Sequence, residues 1–440
     1  MTEQAIEQHH RLERDILAAM SRPTGWYWVA LGVSIAAFLM GMGLWLYMIL
    51  TGMGVAGINN PVGWGVFIVD FVFWVGIAHS GTLISAVLFL FRARFRSRFN
   101  RAAEAMTIFA VMTAGLFPLI HLGRVWFAYW LFPYPNNHLI WPNFKSPLVW
   151  DVFAVSTYLT VSAVFWYVGL IPDLAIARRH AKNKIQMWAY RVFSLGWVGS
   201  VQQWKHYNKL YGLLACFATP LVVSVHSVVS WDFAMSVIPG WHTTIFAPYF
   251  VAGAILSGCA MVITLMVPMR KIFRLEEIIT VKHFEGIAQM LLLTSLIVTY
   301  SYIVEYAIAF YSGNTYEISH FVYRLLGAEE PGHYRYAYWV MVACNSVIPL
   351  LLFFRKVRTS IPALFVMSLF VNVGMWLERF IIIVTSLARD FDPYAWGLYK
   401  PSFVEVGITI GSFGLFFTLF LLFCKTLPVL AITEIKEEYT

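Results

Sequence analysis

Residues 64–91 read WGVFIVDFVFWVGIAHSGTLISAVLFLF, and the only ionisable side chains among them are Asp70 and His79. A membrane-spanning helix needs about 20 predominantly apolar residues, so this run is long enough to cross a bilayer. Nine other stretches share its length and character. The ten predicted spans are 26–50, 64–91, 102–132, 147–172, 207–234, 244–269, 283–312, 335–354, 360–387 and 401–424.

The composition of the whole chain agrees with a membrane protein. Of the 440 residues, 60% are apolar and only 12% are charged, and the mean hydropathy is +0.69. Soluble domains are about half apolar and a quarter charged, so a soluble fold would have too few charges to cover its surface. The sequence therefore predicts an all-α membrane protein with about ten transmembrane helices.

The basic residues are distributed unequally between the two sides of the predicted membrane. Of the 31 lysines and arginines, 24 lie in the termini and loops of one side and five in the loops of the other, while Arg124 and Arg379 lie within spans. Basic residues concentrate in cytoplasmic loops, so both termini are predicted to be cytoplasmic. This distribution explains the net charge of +8 without a nucleic-acid partner, and anionic lipid is the expected contact of the basic loops.

Four cysteines, Cys216, Cys259, Cys344 and Cys424, are widely spaced in apolar runs and form no C-x-x-C motif. This pattern argues against a disulfide framework and against a cysteine-ligated iron–sulfur cluster, and it predicts buried free thiols. No soluble catalytic domain is predicted outside the spans, so any redox partner would be another chain.

An internal repeat suggests how the spans are grouped. The pattern F-x-x-G-x-x-x-S-G occurs at 73–81 in span 2 and again at 250–258 in span 6. Spans 2–5 and 6–9 would then form two related four-helix bundles, with spans 1 and 10 beside them. The predicted units are an amphipathic N-terminal segment 1–25, span 1 with its outer loop 26–63, the first bundle 64–243, the second bundle 244–400, and span 10 with a cytoplasmic tail 401–440.

Ionisable side chains within spans are costly in hydrocarbon and are therefore functional candidates. Asp70, His121, Arg124 and Asp151 are predicted to lie near the outer membrane surface, with His121 and Arg124 three residues apart on one helical face. A carboxylate and an imidazole can accept the two hydroxyl protons of a quinol, and aromatic walls suit its ring. The aromatic residues at this level are Trp126, Tyr129, Trp130, Phe132, Trp141, Phe144 and Trp150. The same cluster would also suit a structural contact between helices.

The deeper ionisable side chains allow two interpretations. They could form a proton relay, or they could be paired internally, as Glu378 with Arg379. The set consists of His79, His226, Glu305, Glu378 and Arg379. Haem b is a further alternative, but a two-haem arrangement usually has two histidines on one helix and no predicted span provides them.

Five stretches together form a specific set of motifs. They are NNPVGWG at 59–65, GIAHSGTLIS at 76–85, FPLIHLGR at 117–124, SPLVWD at 146–151 and SVHSVVS at 224–230. The set resembles the NrfD/PsrC-like (polysulfide-reductase-type) family of integral membrane subunits. Within that family the chain is most similar to the two such subunits of bacterial alternative complex III, and more to the ActC type beside the iron–sulfur subunit than to its ActF-type paralogue. The resemblance covers spans 1–7 well and spans 8–10 less distinctively.

This resemblance implies a function as well as a fold. It implies two four-helix bundles and menaquinol oxidation near the periplasmic surface of the bacterial inner membrane, with His121 and Asp151 matching the catalytic pair of the quinol site. Electrons would pass to a 3Fe–4S centre in a separate periplasmic iron–sulfur subunit and then to multihaem cytochrome c subunits, alongside a paralogous membrane subunit. The chain itself would ligate no metal, haem or cluster. Proton translocation through the bundles is implied for the five deeper side chains.

Two other classes of function remain open at the level of sequence. A secondary transporter would also have about ten spans, but its polar site would usually lie at broken helices near the midplane. A purely structural anchor for peripheral redox subunits would not need the His121–Asp151 pair. Within the same type of complex, a paralogous subunit that conducts protons or anchors its partners without binding quinol is a further alternative.

Overall fold

A computed structural model describes residues 3–21, 23–132, 145–181, 183–327 and 334–437. Within these ranges the fold is entirely helical, and ten helices are long and apolar enough to span a membrane. They are Gly25–Thr51, Val66–Leu90, Asn100–His121, Pro147–Arg179, Val201–Ala234, Phe246–Ile272, Val281–Ser312, Tyr334–Phe353, Ile361–Ala388 and Phe403–Thr426, hereafter spans 1–10. The prediction of an all-α membrane protein with ten transmembrane helices is confirmed.

Spans 2 and 6 lie at the centre of the molecule and pack against each other. Span 2 also packs on spans 3 and 5, and span 6 on spans 5, 7 and 9, so these two spans have the largest buried fractions of the ten. Spans 2–5 thus form one four-helix bundle and spans 6–9 a second. Spans 1 and 10 form a separate pair, and span 10 packs against spans 2 and 3.

Glycine residues allow spans 1 and 10 to approach closely. A Cβ atom on Gly41 would lie 2.6 Å from the Cα of Gly411, and one on Gly414 would lie 2.8 Å from the carbonyl oxygen of Ser34. Small residues at such positions let two helix backbones make van der Waals contact. This contact drives helix association in a membrane, because apolar side chains gain no hydrophobic free energy by exchanging lipid for another helix.

The two termini lie on the same face of the helical layer. The N-terminal helix Glu3–Ser21 contacts the C-terminal helix Ile432–Glu437, and Lys436 donates to Glu13 there. We call this side the terminal face and the opposite side the distal face. Helix Lys184–Phe193 lies on the terminal face between spans 4 and 5, and helix Thr315–Leu326 lies on the distal face between spans 7 and 8.

Span 3 is shorter than the predicted span 102–132. It ends at His121 because Gly123 adopts a left-handed backbone with φ of 69°, a common way to end a helix, and Arg124 leaves the helical region with ψ of 89°. A short 3₁₀ helix, Val125–Leu131, follows. His121 and Arg124 therefore do not share a helical face, and this part of the prediction is wrong.

The four cysteines are free thiols, as predicted. Cys259, Cys344 and Cys424 are buried, but Cys216 is exposed on span 5. The expectation of burial is therefore wrong for Cys216, because an apolar run in a membrane protein can face lipid as readily as the protein interior.

Candidate functional site

Two carboxyl groups meet at the distal ends of spans 4 and 5. The side chains of Asp151 and Asp232 lie within hydrogen-bonding reach of each other, and the neighbouring rings of Trp150 and Trp231 have centroids 6.0 Å apart. Two carboxyls this close share a proton, because two adjacent anions would repel each other. Each group keeps one buried oxygen, Oδ1, without a hydrogen-bond partner in the described chain. The pair can therefore bind a donor and can take up a further proton.

His121 lies at the distal end of span 3, which packs against span 4. The side chain is half-buried, and its Nδ1 atom is buried without a hydrogen-bond partner among the described residues. Arg124 follows in the turn and is exposed. Across the described ranges, no hydrogen bond or ion pair joins His121, Arg124 and Asp151, so the fold brings them to the ends of adjacent spans without direct contact.

Asp70 makes contacts different from those expected. Its carboxylate oxygens accept hydrogen bonds from Trp376 Nε1 (2.7 Å) on span 9 and Thr409 Oγ1 (2.6 Å) on span 10. Both oxygens thus have donors, and the side chain is fully buried. The geometry of Asp70 is that of a satisfied link between span 2 and spans 9 and 10, so no described contact connects it to His121 or Asp151.

Aromatic side chains cover the distal surface beside His121. Trp126, Tyr129, Trp130 and Phe132 are all more than half exposed, and they belong to the turn and 3₁₀ helix after span 3. Trp150 lies against span 5 instead. The predicted Trp141 and Phe144, together with most of the loop 133–146, lie outside the described residues.

Two histidines of the first bundle are in ring contact deep in the protein. The ring of His79 stacks on Tyr158 with centroids 4.6 Å apart, and it lies 4.7 Å from the ring of His226. His79 Nδ1 is 2.5 Å from the carbonyl oxygen of Val75, whereas His79 Nε2 and both ring nitrogens of His226 are buried without a partner in the described chain. Buried polar atoms in this state usually bind water, so the contact is a candidate site for a water-bridged proton path.

The second bundle places its own ionisable pair beside these histidines. The Arg379 guanidinium lies 4.2 Å above the ring of Phe250, which in turn lies 5.9 Å from the ring of His226. Arg379 Nη1 is 3.2 Å from Glu378 Oε1, as expected of an internal pair. The other oxygen, Oε2, accepts the hydroxyl of Tyr302.

We call His79, His226, Arg379, Glu378 and Tyr302 the inter-bundle line. It continues to Asn345, whose side-chain amide donates to the Tyr302 hydroxyl (3.0 Å). Its members come from spans 2, 5, 7 and 9, so the line crosses the contact between the bundles. Asn345 and Thr385 lie in π-helical turns of spans 8 and 9, irregularities that often accompany functional sites.

Glu305 is separate from this line and is paired. Arg324 of helix Thr315–Leu326 donates to Glu305 Oε1 (3.1 Å), to Thr385 Oγ1 (2.9 Å) and to Ser386 Oγ (3.0 Å). Glu305 lines a distal cavity of about 580 Å³ between spans 5 and 7. Arg324 is one of the five basic residues that the sequence assigns to the outer loops. In the structure it is buried, because the segment between spans 7 and 8 forms the helix Thr315–Leu326.

A buried ion cluster on the terminal face was missed by sequence reasoning. Arg101 donates to Glu104 Oε2 (2.9 Å) and Asp173 Oδ2 (3.0 Å), and Tyr211 donates to Glu104 Oε1 (3.0 Å). Tyr211 also lines a cavity of about 270 Å³ that opens beside Arg96 and Glu434. These charged residues lie close to the ends of spans, where the sequence alone predicts ordinary loop charges. The sequence feature that indicated a buried ion pair was Glu104, an acidic residue three positions after Arg101.

No group of three or more His, Cys, Asp or Glu side chains is arranged to hold a metal ion in the part of the chain that the structure describes. The carboxyl, imidazole and hydroxyl groups of the described site residues can take part in acid–base chemistry and hydrogen bonding. This applies to both the distal carboxyl pair and the inter-bundle line.

Comparisons with known proteins identify a family and several relatives. The model of the family described as "Polysulphide reductase, NrfD" matches residues 54–389. The chain is 25% identical to a putative dimethyl sulfoxide reductase membrane subunit of Halobacterium salinarum, over 88% of this chain and 87% of that protein. It is 22% identical to a selenate reductase subunit of Mesobacillus selenatarsenatis, over 87% of this chain and 90% of that protein.

A third relative shares a shorter region. It is the Hdr-like menaquinol oxidoreductase integral membrane subunit of Archaeoglobus fulgidus, 22% identical over 41% of this chain and 43% of that protein. The matched family model covers spans 2–9 in full, and therefore both the distal carboxyl pair and the inter-bundle line.

Proposed function

Because the chain belongs to the NrfD family of polysulphide-reductase-type membrane subunits, we propose that it is the quinol-oxidising membrane subunit of a respiratory quinol:electron-acceptor (cytochrome c) oxidoreductase. The relatives are subunits of two reductases and a membrane subunit of a menaquinol oxidoreductase, which supports menaquinol as the substrate. An assembly of the alternative complex III type is the specific form that we propose.

The observation that carries the proposal is a group of unpartnered protonatable atoms at the distal ends of three adjacent spans. These atoms are His121 Nδ1 on span 3, Asp151 Oδ1 on span 4 and Asp232 Oδ1 on span 5. A helix-to-helix contact of purely structural purpose would leave its polar atoms paired, because an unmade buried hydrogen bond costs about 1–3 kcal/mol. A ligand with two hydroxyl groups would satisfy them.

Quinol oxidation requires two proton acceptors near the ring. One hydroxyl proton passes to His121, and the other passes to the Asp151–Asp232 pair, which shares one proton at rest and can accept another. The two electrons leave to a separate acceptor, and the quinol becomes the quinone. Arg124, exposed in the turn that follows His121, would favour the negative charge that develops as the hydroxyl protons leave.

The electron acceptor would dock on the distal face. We propose a periplasmic iron–sulfur subunit there, which passes electrons to multihaem cytochrome c subunits, with a paralogous membrane subunit alongside. The exposed aromatic surface formed by Trp126, Tyr129, Trp130 and Phe132 follows His121 directly in the chain, so a subunit docked there would lie next to the proposed quinol site. The bias of basic residues supports an orientation with both termini cytoplasmic, and the membrane that we propose is the bacterial inner membrane.

Proton translocation is the second part of the proposal. The unpartnered nitrogens of His79 and His226 and the Glu378–Arg379 pair support a path through the inter-bundle line. Glu104, beside the cavity of the terminal face, would be the entrance from that side.

The test is turnover of the purified complex with menaquinol after single substitutions. We expect Asp151→Asn, Asp232→Asn and His121→Ala each to lower the quinol oxidation rate about 100-fold or more, because a positioned general base contributes roughly 10²–10⁴-fold. The polypeptide composition and the cofactor spectra of each preparation would report assembly. Asp392→Asn is the matched control, since Asp392 is an exposed distal carboxylate that caps a turn, and asparagine can keep that cap.

The outcomes separate the rival functions. Full turnover in assembled His121→Ala and Asp151→Asn variants would contradict the proposal and would favour an anchor or a non-quinol-binding paralogue. Isolation of the chain without redox partners or bound quinone would favour a transporter. Equal losses in the Asp392→Asn control would indicate general damage to the distal face.

A further inference from the structure

A large groove opens on the terminal face between four elements. These are the N-terminal helix, span 4, helix Lys184–Phe193 and the end of span 10, and the groove has a volume of about 1060 Å³. Pockets for drug-sized ligands have about 300–1,000 Å³, so this one could take a larger molecule. Its walls are mainly apolar, with Leu17, Leu170 and Leu174 among them, and no residue of the distal carboxyl pair or the inter-bundle line contributes.

Among the described residues, the charged side chains that line the groove are all cationic. Arg14 and Lys425 both line it, and neither makes an ion pair within the described chain. The acidic residues nearby are already committed, since Glu13 is paired with Lys436 and Asp173 with Arg101. Lys425 rests on the ring of Trp28, 5.0 Å from its centroid, which leaves its charge uncompensated by an acid. The groove thus attracts an anion.

The hydroxyl groups in the groove are not available to a quinone. Tyr190 donates to the carbonyl oxygen of Thr426 (2.6 Å) and accepts from Gln186 (2.9 Å). The Tyr167 hydroxyl donates to the carbonyl oxygen of Phe193 (2.9 Å). Trp166, which also lines the groove, has a buried Nε1 donor without a partner in the described chain. Together with the positive charge of Arg14 and Lys425, this donor suits a phosphate group.

The position of the groove matches the boundary between head groups and acyl chains. Helix Lys184–Phe193 forms one wall, and its Ile185, Trp188 and Phe193 are exposed by 80%, 65% and 54%. An amphipathic helix with exposed large apolar side chains lies in the membrane interface with these side chains among the acyl chains. A molecule in the groove would therefore have one end among the head groups.

We propose that this groove binds a phospholipid with an anionic head group. The phosphate lies near Arg14 and Lys425, and the acyl chains lie along the leucines of span 4 and the N-terminal helix. Such a lipid joins the N-terminal helix to spans 4 and 10. The inference is independent of the quinol chemistry, since it uses other residues on the opposite face.

The test measures lipid retention and lipid-dependent stability of the purified full-length chain. Wild-type protein should retain anionic phospholipid through detergent purification, as read by mass spectrometry of extracted lipid. Phosphatidylglycerol should raise its thermal midpoint more than phosphatidylcholine does, and inorganic phosphate alone should not. Each basic side chain near a membrane surface is worth about fivefold in affinity, so the Arg14→Gln/Lys425→Gln variant should bind phosphatidylglycerol about 25-fold more weakly.

A matched pair of exposed basic residues on the terminal face serves as the control. The Lys205→Gln/Arg355→Gln variant removes an equal number of positive charges, but at positions outside the groove, and it should leave lipid retention unchanged. Ala189→Trp fills the groove without altering charge and should also displace the lipid. Equal stabilisation by phosphatidylcholine or by inorganic phosphate, equal loss in the control, or retention of a quinone in place of the lipid would each overturn the proposal.

Discussion

Individual buried charges in this protein differ in how completely they are paired. Arg101 donates to two carboxylates and two carbonyl oxygens, whereas Arg379 has one ion-pair partner, and its Nη1 and Nη2 atoms have no hydrogen bond in the described chain. The cost of burying a charge is met only when its hydrogen bonds are made. The Arg101 guanidinium is therefore held in place by its partners, while Arg379 keeps donors free for water or a moving proton.

His320 is a single residue with a testable effect on stability. It is buried in helix Thr315–Leu326, and burial, followed by the charges of Arg324 and Arg389, holds its pKa well below the ordinary histidine value. Below pH 6.5 the unfolded chain therefore takes up a proton that the folded chain does not, and stability falls with decreasing pH. The slope from this one group is about 1.4 kcal/mol per pH unit.

Thermal unfolding of His320→Gln at pH 7.5 and pH 5.5 would measure this effect. The wild type should lose more stability on acidification than the variant does. His242→Gln, which changes an exposed histidine on the same distal face, is the control and should behave as the wild type. An equal loss in wild type and His320→Gln would show that His320 is protonated in the folded state.

At the scale of helices, hydropathy predicts the presence of a membrane-spanning helix more accurately than it predicts the residues at which the helix begins and ends. Ten spans follow from the sequence because a lipid-facing helix must be apolar over its full length. The end of span 3 did not follow, because glycine is frequent within transmembrane helices and Gly123 therefore gave no clear stop signal. The residues that the helix end controls, His121 and Arg124, were consequently placed on one face.

Pairing between helices was also beyond the sequence. Asp151 and Asp232 both stand out in the sequence as ionisable residues within predicted spans, but their pairing follows only from the packing of span 4 against span 5. Asp70 was expected to belong with His121, Arg124 and Asp151. Its hydrogen-bond donors instead lie more than 300 residues away in the chain, on spans 9 and 10. Residue type shows that a buried charge needs a partner, and only the fold shows which one it has.

The contact between spans 1 and 10 depends on glycine at one position. Gly41→Leu would place a side chain against the Gly411 backbone, where even a Cβ atom is too close at 2.6 Å. Overpacking typically costs about 1–3 kcal/mol, so the thermal midpoint of the purified protein should fall. Gly43→Leu in the same helix is the control, because nothing lies within 4 Å of its Cβ position, and it should be tolerated. Equal midpoints for the two variants would argue against close glycine packing.

At the scale of the whole molecule, the two bundles repeat one arrangement. In the first bundle, Gly76 of span 2 lies beside His226 of span 5, whose Cε1 would be 3.9 Å from its Cβ position. In the second, Gly253 of span 6 lies beside Glu378 and Arg379 of span 9, at 3.3 Å and 2.9 Å. These glycines occupy the same position of the sequence repeat. Each bundle thus places a polar side chain of its fourth span against a glycine of its first, next to the contact between bundles.

This arrangement predicts that the bundles act together in moving protons. Glu378→Gln keeps an acceptor for Tyr302 but removes the carboxylate that would carry a proton along the inter-bundle line. In proteoliposomes containing the complex, the variant should oxidise quinol but translocate fewer protons per electron, and Glu104→Gln should do the same. Glu285→Gln, which removes a partly exposed carboxylate paired with Arg358 on the terminal face, should retain the wild-type ratio. An unchanged ratio in Glu378→Gln would mean that the line is structural, because a path through these residues cannot conduct once its carboxylate is gone.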